Sequence, residues 1–482
     1  MYIEYFGLID IQYWEYVVLF FYLVVLYLYF ARRKNMAIAT NPEYRYLLRG
    51  LFAKVIGGIA FSLIYFYYYR GGDTIAYFYS SVAMSNLAKQ APLEYLHVLF
   101  GANDMAHRAL FTEETGKPFL FIFVDDRAFM VVRLISPITM ITFNSYLITT
   151  VLIASLSFGG VWRLFQMFYR YFPRLHARFA IAILYMPSSI LWGSALLKDT
   201  FTFSAFCWYL HSVDNLFFRK VDRFSSVVAL VLSSMVIIYI KAYIFMVVFP
   251  ISLLWISYSR LARIRNAAIK YLVLPFGFAA ITAGTFVVLT SLGDKFGKFS
   301  LDSSLESIII AQKDLKHVEE YGSNFFDVGE LEHSWTSVLS KFPTATSATL
   351  FRPFLTECKN FVMVLSGLEN FFLLALFTWV MWRCRIFFFF NGMFSNPLLL
   401  VCFAFSLLYG FVTGITTPNF GALVRFRIPL IPLFVSGLYI MLFLLDERRK
   451  VLNRGLNFRF DKYRNGDPAR QEYINAQQTV QR

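Results

Sequence analysis

Long apolar runs separated by short basic clusters dominate this sequence and decide what it can fold into. The first run covers about residues 13–31 and ends at Arg32, Arg33 and Lys34. Comparable runs recur along the chain, and a helix needs roughly 20 apolar residues to cross a bilayer. Only 16% of the residues are charged and 58% are hydrophobic, which excludes a soluble globular domain of ordinary composition. The pattern predicts an all-α, polytopic membrane protein.

The apolar runs predict about 11 transmembrane helices. They are expected at about residues 13–31, 50–69, 142–166, 179–197, 200–218, 271–292, 360–382, 396–416 and 428–445, with two more in a tight hairpin that turns near Lys241. Basic clusters mark cytoplasmic loops. One alternation of directions keeps every basic loop inside, so the N-terminus is expected outside and the C-terminus in the cytoplasm.

Two long loops face outward on this topology. Residues 71–140 mix apolar with acidic residues and are expected to form interfacial helices. Residues 293–358 are composed like a soluble protein. The chain therefore divides into an extra N-terminal helix and cytoplasmic loop at 1–49, a membrane core at 50–445, and a basic cytoplasmic tail at 446–482 that is expected to be partly disordered.

The net charge of +15 comes from the loop clusters and forms no continuous basic stretch. We therefore expect the lipid bilayer, and no nucleic acid, as a partner of this chain. The four cysteines have no CxxC spacing and the six histidines form no HxxxH or HExxH pattern. No metal site is predicted from these residues.

Charged residues at the outward ends of the helices are the candidates for function, because charge at membrane depth is costly. Those named at this rim are Asp73, Lys198, Asp199, Lys241, Arg352, Glu357, Lys359, Arg425 and Arg427. Guanidinium groups bind phosphate oxygens in a bidentate manner, and a lipid phosphate is the anion expected at this depth. Helix capping and headgroup anchoring are the ordinary alternatives.

The predicted binders of a lipid phosphate are Arg425, Arg427, Arg352, Lys241 and Lys198. Arg425 and Arg427 lie two positions apart, and an extended segment would point both side chains the same way. Lys241 stands alone between apolar runs.

Three carboxylates are given supporting roles. Asp199 is paired with Lys198 at a helix end, and Glu357 follows Arg352 closely in the sequence. Glu369 lies about two turns into a predicted helix and is interpreted as a buried partner for one of the arginines.

Asp73 is the candidate catalytic residue. It follows a Tyr-rich helix and the pair Gly71-Gly72, which would free a carboxylate to approach a substrate. Such a carboxylate can take a proton from a hydroxyl or help to position a metal. The same Gly-Gly-Asp sequence also fits an ordinary turn.

The order of helices and loops over about residues 50–445 resembles the GT-C type of integral-membrane glycosyltransferase. In that family an aspartate of the first outer loop serves as catalytic base or metal-site carboxylate, and Asp73 matches its position. The sequence Arg425-Phe-Arg-Ile-Pro-Leu-Ile-Pro432 is similar to the Arg or Tyr and Pro pattern that precedes the last helix in many members. The first helix is additional, and Thr74 stands where a second acidic residue is frequent.

The resemblance implies transfer of a sugar from a polyprenyl-phosphate carrier to a glycan, lipid or protein acceptor. The reaction would occur on the non-cytoplasmic face of a bacterial inner membrane, with a divalent cation left open and no other cofactor implied. Three alternatives remain: a polysaccharide polymerase or ligase using lipid-linked oligosaccharides, a lipid-linked sugar transporter or flippase, and a scaffold subunit. The transporter ranks below the enzyme because the sequence shows no internal repeat and its charges gather at one face.

Overall fold

The computed structural model describes residues 9–261, 306, 309–310, 325–326, 329 and 332–468. These residues form helices and no β-strand, apart from an isolated bridge between Phe325 and Asn419. Seven of the described helices are long and apolar enough to cross a membrane. The prediction of an all-α, polytopic integral membrane protein is therefore confirmed at this level.

The described α-helices range from 4 to 39 residues in length. The α-helices are α1 Tyr13–Ala37, α2 Leu47–Leu63, α3 Asp73–Gln90, α4 Pro92–Phe100, α5 Met105–Ala109, α6 Leu120–Phe123, α7 Asp126–Ile141, α8 Tyr146–Tyr171, α9 His176–Phe179, α10 Pro187–Leu191, α11 Lys198–Val213, α12 Arg223–Leu261, α13 Trp335–Ser340, α14 Phe342–Phe351, α15 Phe361–Ser395, α16 Pro397–Thr416, α17 Phe420–Phe426 and α18 Leu430–Asn453. The membrane-spanning candidates are α1, α8, α15, α16, α18, most of α12, and α2 with its flanking turns at Pro42–Tyr68.

The chain forms two compact units. The first comprises Met1–Leu164, Ser189–Ser212 and Val227–Ala242, and the second comprises Phe165–Ser188, Val213–Ser226 and Tyr243–Arg482. Because α8, α10, α11 and α12 each continue from one unit into the other, the helices alone do not mark the division.

In the first unit, residues 71–140 form the helices α3 to α7, and α3 packs along α7. The hydroxyl groups of Ser81 and Thr139 join the two helices at 2.9 Å. Most residues of α3 are buried, including Ser80, Ser81 and Ser85. The helix is thus covered on more sides than an amphipathic helix lying on a membrane surface would be.

The single helix predicted at 179–197 is wrong. The structure has α9, a π-helical turn at Ala180–Leu184, the short α10 and then turns up to Lys198. Pro187 lacks a backbone N–H and disfavours helix at the preceding residue, which favours the break observed in this apolar run. The broken segment between Tyr185 and Lys198 is nevertheless largely buried.

Three further differences explain why seven spanning candidates are described. The 16-residue α11, followed by a π-helical turn at Asp214–Arg219, covers the helix predicted at 200–218 but is too short to qualify alone. The predicted break at Lys241 is present as a non-helical residue, with φ −143° and ψ 72°, inside α12. The helix predicted at 271–292 and about half of the loop predicted at 293–358 lie outside the described residues.

In the second unit, the last part of the predicted outer loop packs tightly on a spanning helix. The Thr349 hydroxyl of α14 donates to the carbonyl oxygen of Gly410 in α16 at 2.7 Å. At Gly414, a Cβ atom would overlap the carbonyl oxygen of Ala345. Glycine therefore allows α14 and α16 to approach closely, and α14 belongs to the helical core of this unit.

Gly57 provides a test of packing in the first unit. A Cβ atom there would overlap both the side chain and the carbonyl oxygen of Ile190, so α2 lies directly against the broken segment. We expect Gly57→Ala to lower the free energy of unfolding by about 1–3 kcal/mol, because backbone atoms must move. The thermal midpoint of the detergent-solubilised protein measures the effect.

Gly159→Ala is the matched control in α8. The nearest atom to its added methyl group would be Nε1 of Trp208 at 3.8 Å, an ordinary contact. Its midpoint should stay unchanged or rise slightly, since alanine favours helix over glycine. Equal midpoints for the two variants would contradict the packing of α2 on the broken segment.

Candidate functional site

Asp73 begins a helix directly after a tight turn. The π-helical turn Ile64–Tyr68 ends the preceding helix, and Arg70 and Gly72 have φ values of 52° and 104°. At Gly72 a Cβ atom would also lie 2.7 Å from the Tyr65 ring, so glycine is required there. The turn predicted as an alternative is therefore present.

The same geometry gives Asp73 a defined electrostatic position. It is the first residue of the 18-residue α3 and is half-buried. The helix dipole favours a carboxylate at this end, where backbone N–H groups are unpaired. The next residue, Thr74, is fully buried and its hydroxyl lies 3.0 Å from the Tyr146 hydroxyl. This contact fixes the start of α3, while a catalytic role of Asp73 stays a prediction.

Both predicted lysines of the first unit are paired with aspartates. Lys198 Nζ lies 2.8 Å from Asp125 Oδ2, and Lys241 Nζ lies 2.5 Å from Asp199 Oδ1. The Lys241–Asp199 pair is buried, with side chains 6% and 3% exposed. A phosphate would have to compete with these carboxylates for either lysine, and we therefore assign both pairs a structural role.

Asp125 was not singled out by the sequence, although it belongs to the acidic residues of 71–140. Burial raises the pKa of its carboxyl, but the hydrogen bond and charge of Lys198 and the backbone N–H groups of Arg127 and Ala128 outweigh burial and hold that pKa below its usual value. Its side chain also accepts a hydrogen bond from the Arg127 N–H at 3.0 Å. Asp125 thus caps the start of α7 and also forms an ion pair with Lys198, the first residue of α11.

Lys54 is a further charged residue of the first unit that the sequence interpretation missed. It lies near the middle of the spanning candidate Pro42–Tyr68, is 4% exposed, and donates to the carbonyl oxygen of Gly193 in the broken segment. Its ammonium group lies 5.8 Å from the centre of the Phe203 ring. Among the described residues no carboxylate pairs with it. In the sequence, the feature that could have identified this residue is a single lysine between the apolar residues Ala53 and Val55.

The backbone around Gly193 is irregular and carries polar groups that need partners. The hydroxyl groups of Ser189 and Ser194 are buried and have no hydrogen-bond partner among the described residues. Thr200 satisfies one carbonyl by donating to Ala195 O at 2.6 Å. A broken segment with a buried lysine at its side is a feature of polar sites inside membrane proteins.

In the second unit, Arg427 is the centre of a buried network. Its guanidinium donates to the carbonyl oxygens of Thr349 at 2.9 Å and Arg352 at 3.1 Å, and to the side chain of Asn370. Glu369 Oε1 lies 3.8 Å away, so the predicted pairing of Glu369 with an arginine is present. Burial lowers the pKa of Arg427 to about 10 against the opposing charge of Glu369, and the guanidinium stays charged at neutral pH.

This network fixes the backbone that carries Arg352. Asn370 Nδ2 donates to the carbonyl oxygen of Pro353 at 2.8 Å, beside the two carbonyl groups that Arg427 holds. Arg427 is fully buried, so its donors point at protein acceptors. We therefore assign Arg427 a positioning role, which differs from the direct phosphate binding expected from sequence.

The extended conformation expected around Arg425 and Arg427 is wrong. Residues Phe420–Phe426 are α-helical and Arg427 follows in a turn with helical dihedral angles, because Asn419 caps the helix by accepting the Ala422 N–H. Two positions correspond to about 200° around a helix, so the two side chains point in different directions. Arg425 is half-buried, whereas Arg427 is inside.

Arg352 lines a cavity of about 230 Å³ in the second unit. The guanidinium carbon lies 5.4 Å from the centres of both the Phe326 and the Phe420 rings, within cation–π distance. The walls are mostly apolar, with two hydroxyl groups from one face of α14. The lining residues are Phe326, Thr344, Ser347, Ala348, Phe351, Arg352, Phe354 and Leu374.

Glu357 orients the Arg352 side chain. Arg352 Nε donates to Glu357 Oε1 at 3.0 Å, and the Phe354 N–H donates to Oε2 at 2.8 Å. Burial raises the pKa of the Glu357 carboxyl, but the hydrogen bonds and charge of Arg352 and the Phe354 N–H hold it below its usual value. Glu357 is therefore ionised at neutral pH, and among the described residues Nη1 of Arg352 has no acceptor and is left as a donor for a ligand.

Asp214 is a buried carboxylate that the sequence interpretation did not name. Asp214 is fully buried in the second unit, accepts a hydrogen bond from the Tyr171 hydroxyl at 2.6 Å and pairs with Arg219 at 3.3 Å. Burial raises the pKa of Asp214, and the charge of Arg219 opposes this rise. The acidic residue follows α11 directly, which the hydropathy pattern treated as the end of a spanning helix.

No group of three or more His, Cys, Asp or Glu side chains in the described part of the chain is arranged to hold a metal ion. Comparison of the chain with protein-family models, with curated proteins and with solved structures gives no match. The glycosyltransferase resemblance therefore stays a prediction.

The buried Arg427–Glu369 pair allows a stability test. We expect Arg427→Met to lower the free energy of unfolding by about 3–5 kcal/mol, because it leaves the Glu369 charge buried without its partner. The double variant Arg427→Met, Glu369→Gln should recover part of this loss, since the uncompensated charge is removed. Thermal midpoints of the unmodified protein, the single variants Arg427→Met and Glu369→Gln, and the double variant, all in one detergent, give the coupling.

Arg459→Met is the comparison for an exposed pair. Arg459 Nη2 lies 2.5 Å from Asp461 Oδ2, and both side chains are more than half exposed. Removing this arginine should leave the midpoint nearly unchanged. A similar loss in both arginine variants, or no recovery in the double variant, would argue against the network around Arg427.

Proposed function

We propose that the protein is a membrane glycosyltransferase that moves a sugar from a polyprenyl-phosphate carrier to an acceptor hydroxyl. The observation that carries the proposal is the cavity beside Arg352. Its apolar walls suit a lipid chain, and a guanidinium held at its edge suits the phosphate to which that chain is joined. A soluble anion would gain little from walls formed by Phe326, Phe351 and Phe354.

The hydrogen-bond donors of the site, and not its net charge, favour an anionic ligand. Arg352 is paired with Glu357 on one side of its guanidinium, and Nη1 is the part that this carboxylate does not occupy. Thr344 and Ser347 add hydroxyl groups that can donate to oxygen atoms. A phosphate bound here would be stabilised as it leaves the sugar, which is the role that a positioned cation plays in such a transfer.

Asp73 of the first unit is proposed as the general base. In the reaction the acceptor oxygen attacks the anomeric carbon, the bond from that carbon to the phosphate oxygen breaks, and the hydroxyl proton passes to the Asp73 carboxylate. The lipid phosphate leaves with the bonding electrons. The position of Asp73 at the start of α3 places its side chain where the helix dipole favours negative charge.

The cellular setting is part of the proposal. We place the N-terminus and the site on the outer face of a bacterial plasma membrane, with the C-terminal tail in the cytoplasm, on the distribution of basic residues. A polysaccharide polymerase or ligase that uses lipid-linked oligosaccharides fits the same site. The length of the product glycan separates these two readings.

Two substitutions test the enzyme in proteoliposomes supplied with a labelled polyprenyl-phosphate sugar and a mixture of acceptors. Arg352→Gln should lower kcat/KM by about 10–100-fold, the value of a charged hydrogen bond. Asp73→Asn should lower kcat by about 100–10,000-fold, since it removes the base. Release of the free lipid phosphate measures both.

Asp126→Asn is the matched control for Asp73, because Asp126 is likewise the first residue of a helix in the first unit, and is exposed. It should turn over like the unmodified protein. The unfolding midpoint of every variant shows whether the fold is retained. Wild-type turnover of a folded Asp73→Asn protein would exclude Asp73 as the base, and wild-type turnover of Arg352→Gln would remove the phosphate site.

A second candidate, a transporter or flippase of lipid-linked sugar, is favoured by Lys54. The sequence-based ranking placed this class second because charges gathered at one face, yet Lys54 lies in the middle of a spanning candidate beside a broken helix. Broken helices and buried ionisable groups are the parts from which transport sites are built. Lys54 is therefore the residue at which the transporter hypothesis can be tested.

Vesicles loaded on one side with labelled lipid-linked sugar distinguish transport from transfer. A transporter moves the label across the membrane without forming a glycosidic bond, and Lys54→Met should abolish the movement. Lys89→Met, which changes an exposed lysine at the end of α3, is the control. Bond formation without net movement, unaffected by Lys54→Met, would exclude the transport reading.

A further inference from the structure

The last ten residues of α15 form a separate short helix after a break. Arg385 has φ 55° and ψ 154°, which ends the spanning part of α15, and helix resumes at Ile386 and continues to Ser395. One face of this segment, which we call the Phe helix, is exposed: Phe387 at 88%, Phe390 at 46% and Phe394 at 38%. Aromatic residues at such spacing form an apolar stripe along one side of a helix.

The opposite face of the Phe helix is covered by the C-terminal tail. Phe388 packs on Phe460 with ring centres 4.9 Å apart, and a Cβ atom at Gly392 would lie 3.3 Å from the Phe460 ring. Asn396 Nδ2 donates to the carbonyl oxygen of Tyr463 at 2.7 Å. The part of the tail that the structure describes, up to residue 468, is thus folded onto the helix.

The end of the tail is held by ion pairs. Arg174 binds Asp467 in a bidentate manner, at 2.5 and 2.6 Å, and the Asp467 N–H donates to the carbonyl oxygen of Tyr171 at 2.8 Å. Arg174 also lies 3.1 Å from Glu447, near the end of α18. The hydrogen bonds of Asp467 raise the pKa of Arg174. These contacts use two of the four carboxylates in the described tail.

Basic residues outnumber acidic ones in this region, and several of the basic side chains are exposed at the protein surface. Asp461 is engaged by Arg459, and Asp446 is half-buried. Arg449, Arg454 and Lys462 are exposed and form no ion pair among the described residues. Beside them, two leucines are exposed, Leu452 at 48% and Leu456 at 60%.

We propose that this basic tail surface, formed by Arg449, Arg454 and Lys462 with the exposed leucines and the Phe helix, binds anionic phospholipid headgroups. The Phe helix continues directly from a membrane-spanning helix, so its exposed aromatic stripe lies at the level where acyl chains and headgroups meet. Cations held beside such a stripe face lipid phosphates. Clusters of basic residues immediately after a spanning helix attract anionic lipids in this way.

A soluble acidic partner fits the surface less well. It would satisfy the three cations but would leave Phe387 and the neighbouring aromatic residues exposed. An anionic phospholipid covers both parts, because its headgroup meets the cations and its chains meet the aromatic stripe. The contacts of Phe460 with Phe388 and of Asn396 with Tyr463 join the tail that carries the cations to the helix that carries the stripe.

The test uses the purified full-length chain in detergent with phosphatidylglycerol or phosphatidylcholine as the added lipid. We expect phosphatidylglycerol to raise the thermal midpoint and to remain bound in native mass spectra, with phosphatidylcholine doing neither. The triple variant Arg449→Gln, Arg454→Gln, Lys462→Gln should lose more than half of both effects. About 1 M salt, where the screening length is about 3 Å, should reduce them in the unmodified protein.

The control removes three exposed cations of the first unit: Lys89→Gln, Lys117→Gln and Arg127→Gln. It should keep the full response to phosphatidylglycerol, and the midpoint of each variant without lipid shows whether its fold is intact. An undiminished response in the tail variant, or an equal loss in the control, would overturn the proposal. So would stabilisation by polyglutamate with none by phosphatidylglycerol, which would identify an acidic protein as the better fit.

Discussion

The rest of the structure depends on satisfying backbone polar groups that lipid cannot satisfy. Continuous helices do this by themselves, but the chain between Tyr185 and Lys198 is not one helix. In the first unit, Lys54 supplies a donor to the carbonyl of Gly193. In the second unit, Glu369 accepts the N–H of Ser188 at 2.7 Å. Charged side chains inside spanning helices thus compensate for broken backbone, and the costly burial of each charge has a local reason.

Glu369 also connects this constraint to the candidate phosphate site. The same carboxylate lies beside Arg427, whose other donors hold the carbonyl groups of Thr349 and Arg352. A guanidinium that binds three acceptors in fixed directions sets the backbone from which Arg352 projects. The cation most suited to a ligand is therefore the one that the network positions, while the more buried arginine does the positioning. Both residues are arginines, and the difference in burial separates the positioning role of Arg427 from the candidate binding role of Arg352.

The sequence was sufficient for the parts of the fold that depend on apolar length. The runs leading to α1, α16 and α18 predict where these helices begin to within two residues, because roughly 20 apolar residues have one stable arrangement in a bilayer. It was insufficient where a single residue changes the backbone. Pro187 breaks an apolar run that hydropathy treats as continuous, and Asn419 starts a helix where an alternating pattern suggested an extended segment. A hydropathy average over a run of residues does not reveal either the break at Pro187 or the helix start at Asn419.

The candidate site shows the same limit for charges. Sequence alone predicted that Glu369 would partner an arginine, since a carboxylate inside a spanning helix requires one. The sequence did not predict which lysines would form ion pairs with a carboxylate. Asp125 lies 73 positions from Lys198, and no periodicity relates the two. Hydropathy reports how much polar character a segment has, but pairing depends on helices that meet only in the folded chain. A charged residue in such a protein is therefore a candidate for binding only after its nearest carboxylate or cation is known. By that criterion Arg352, which lines an apolar cavity and whose Nη1 is not engaged by Glu357, precedes Lys198, Lys241 and Arg427.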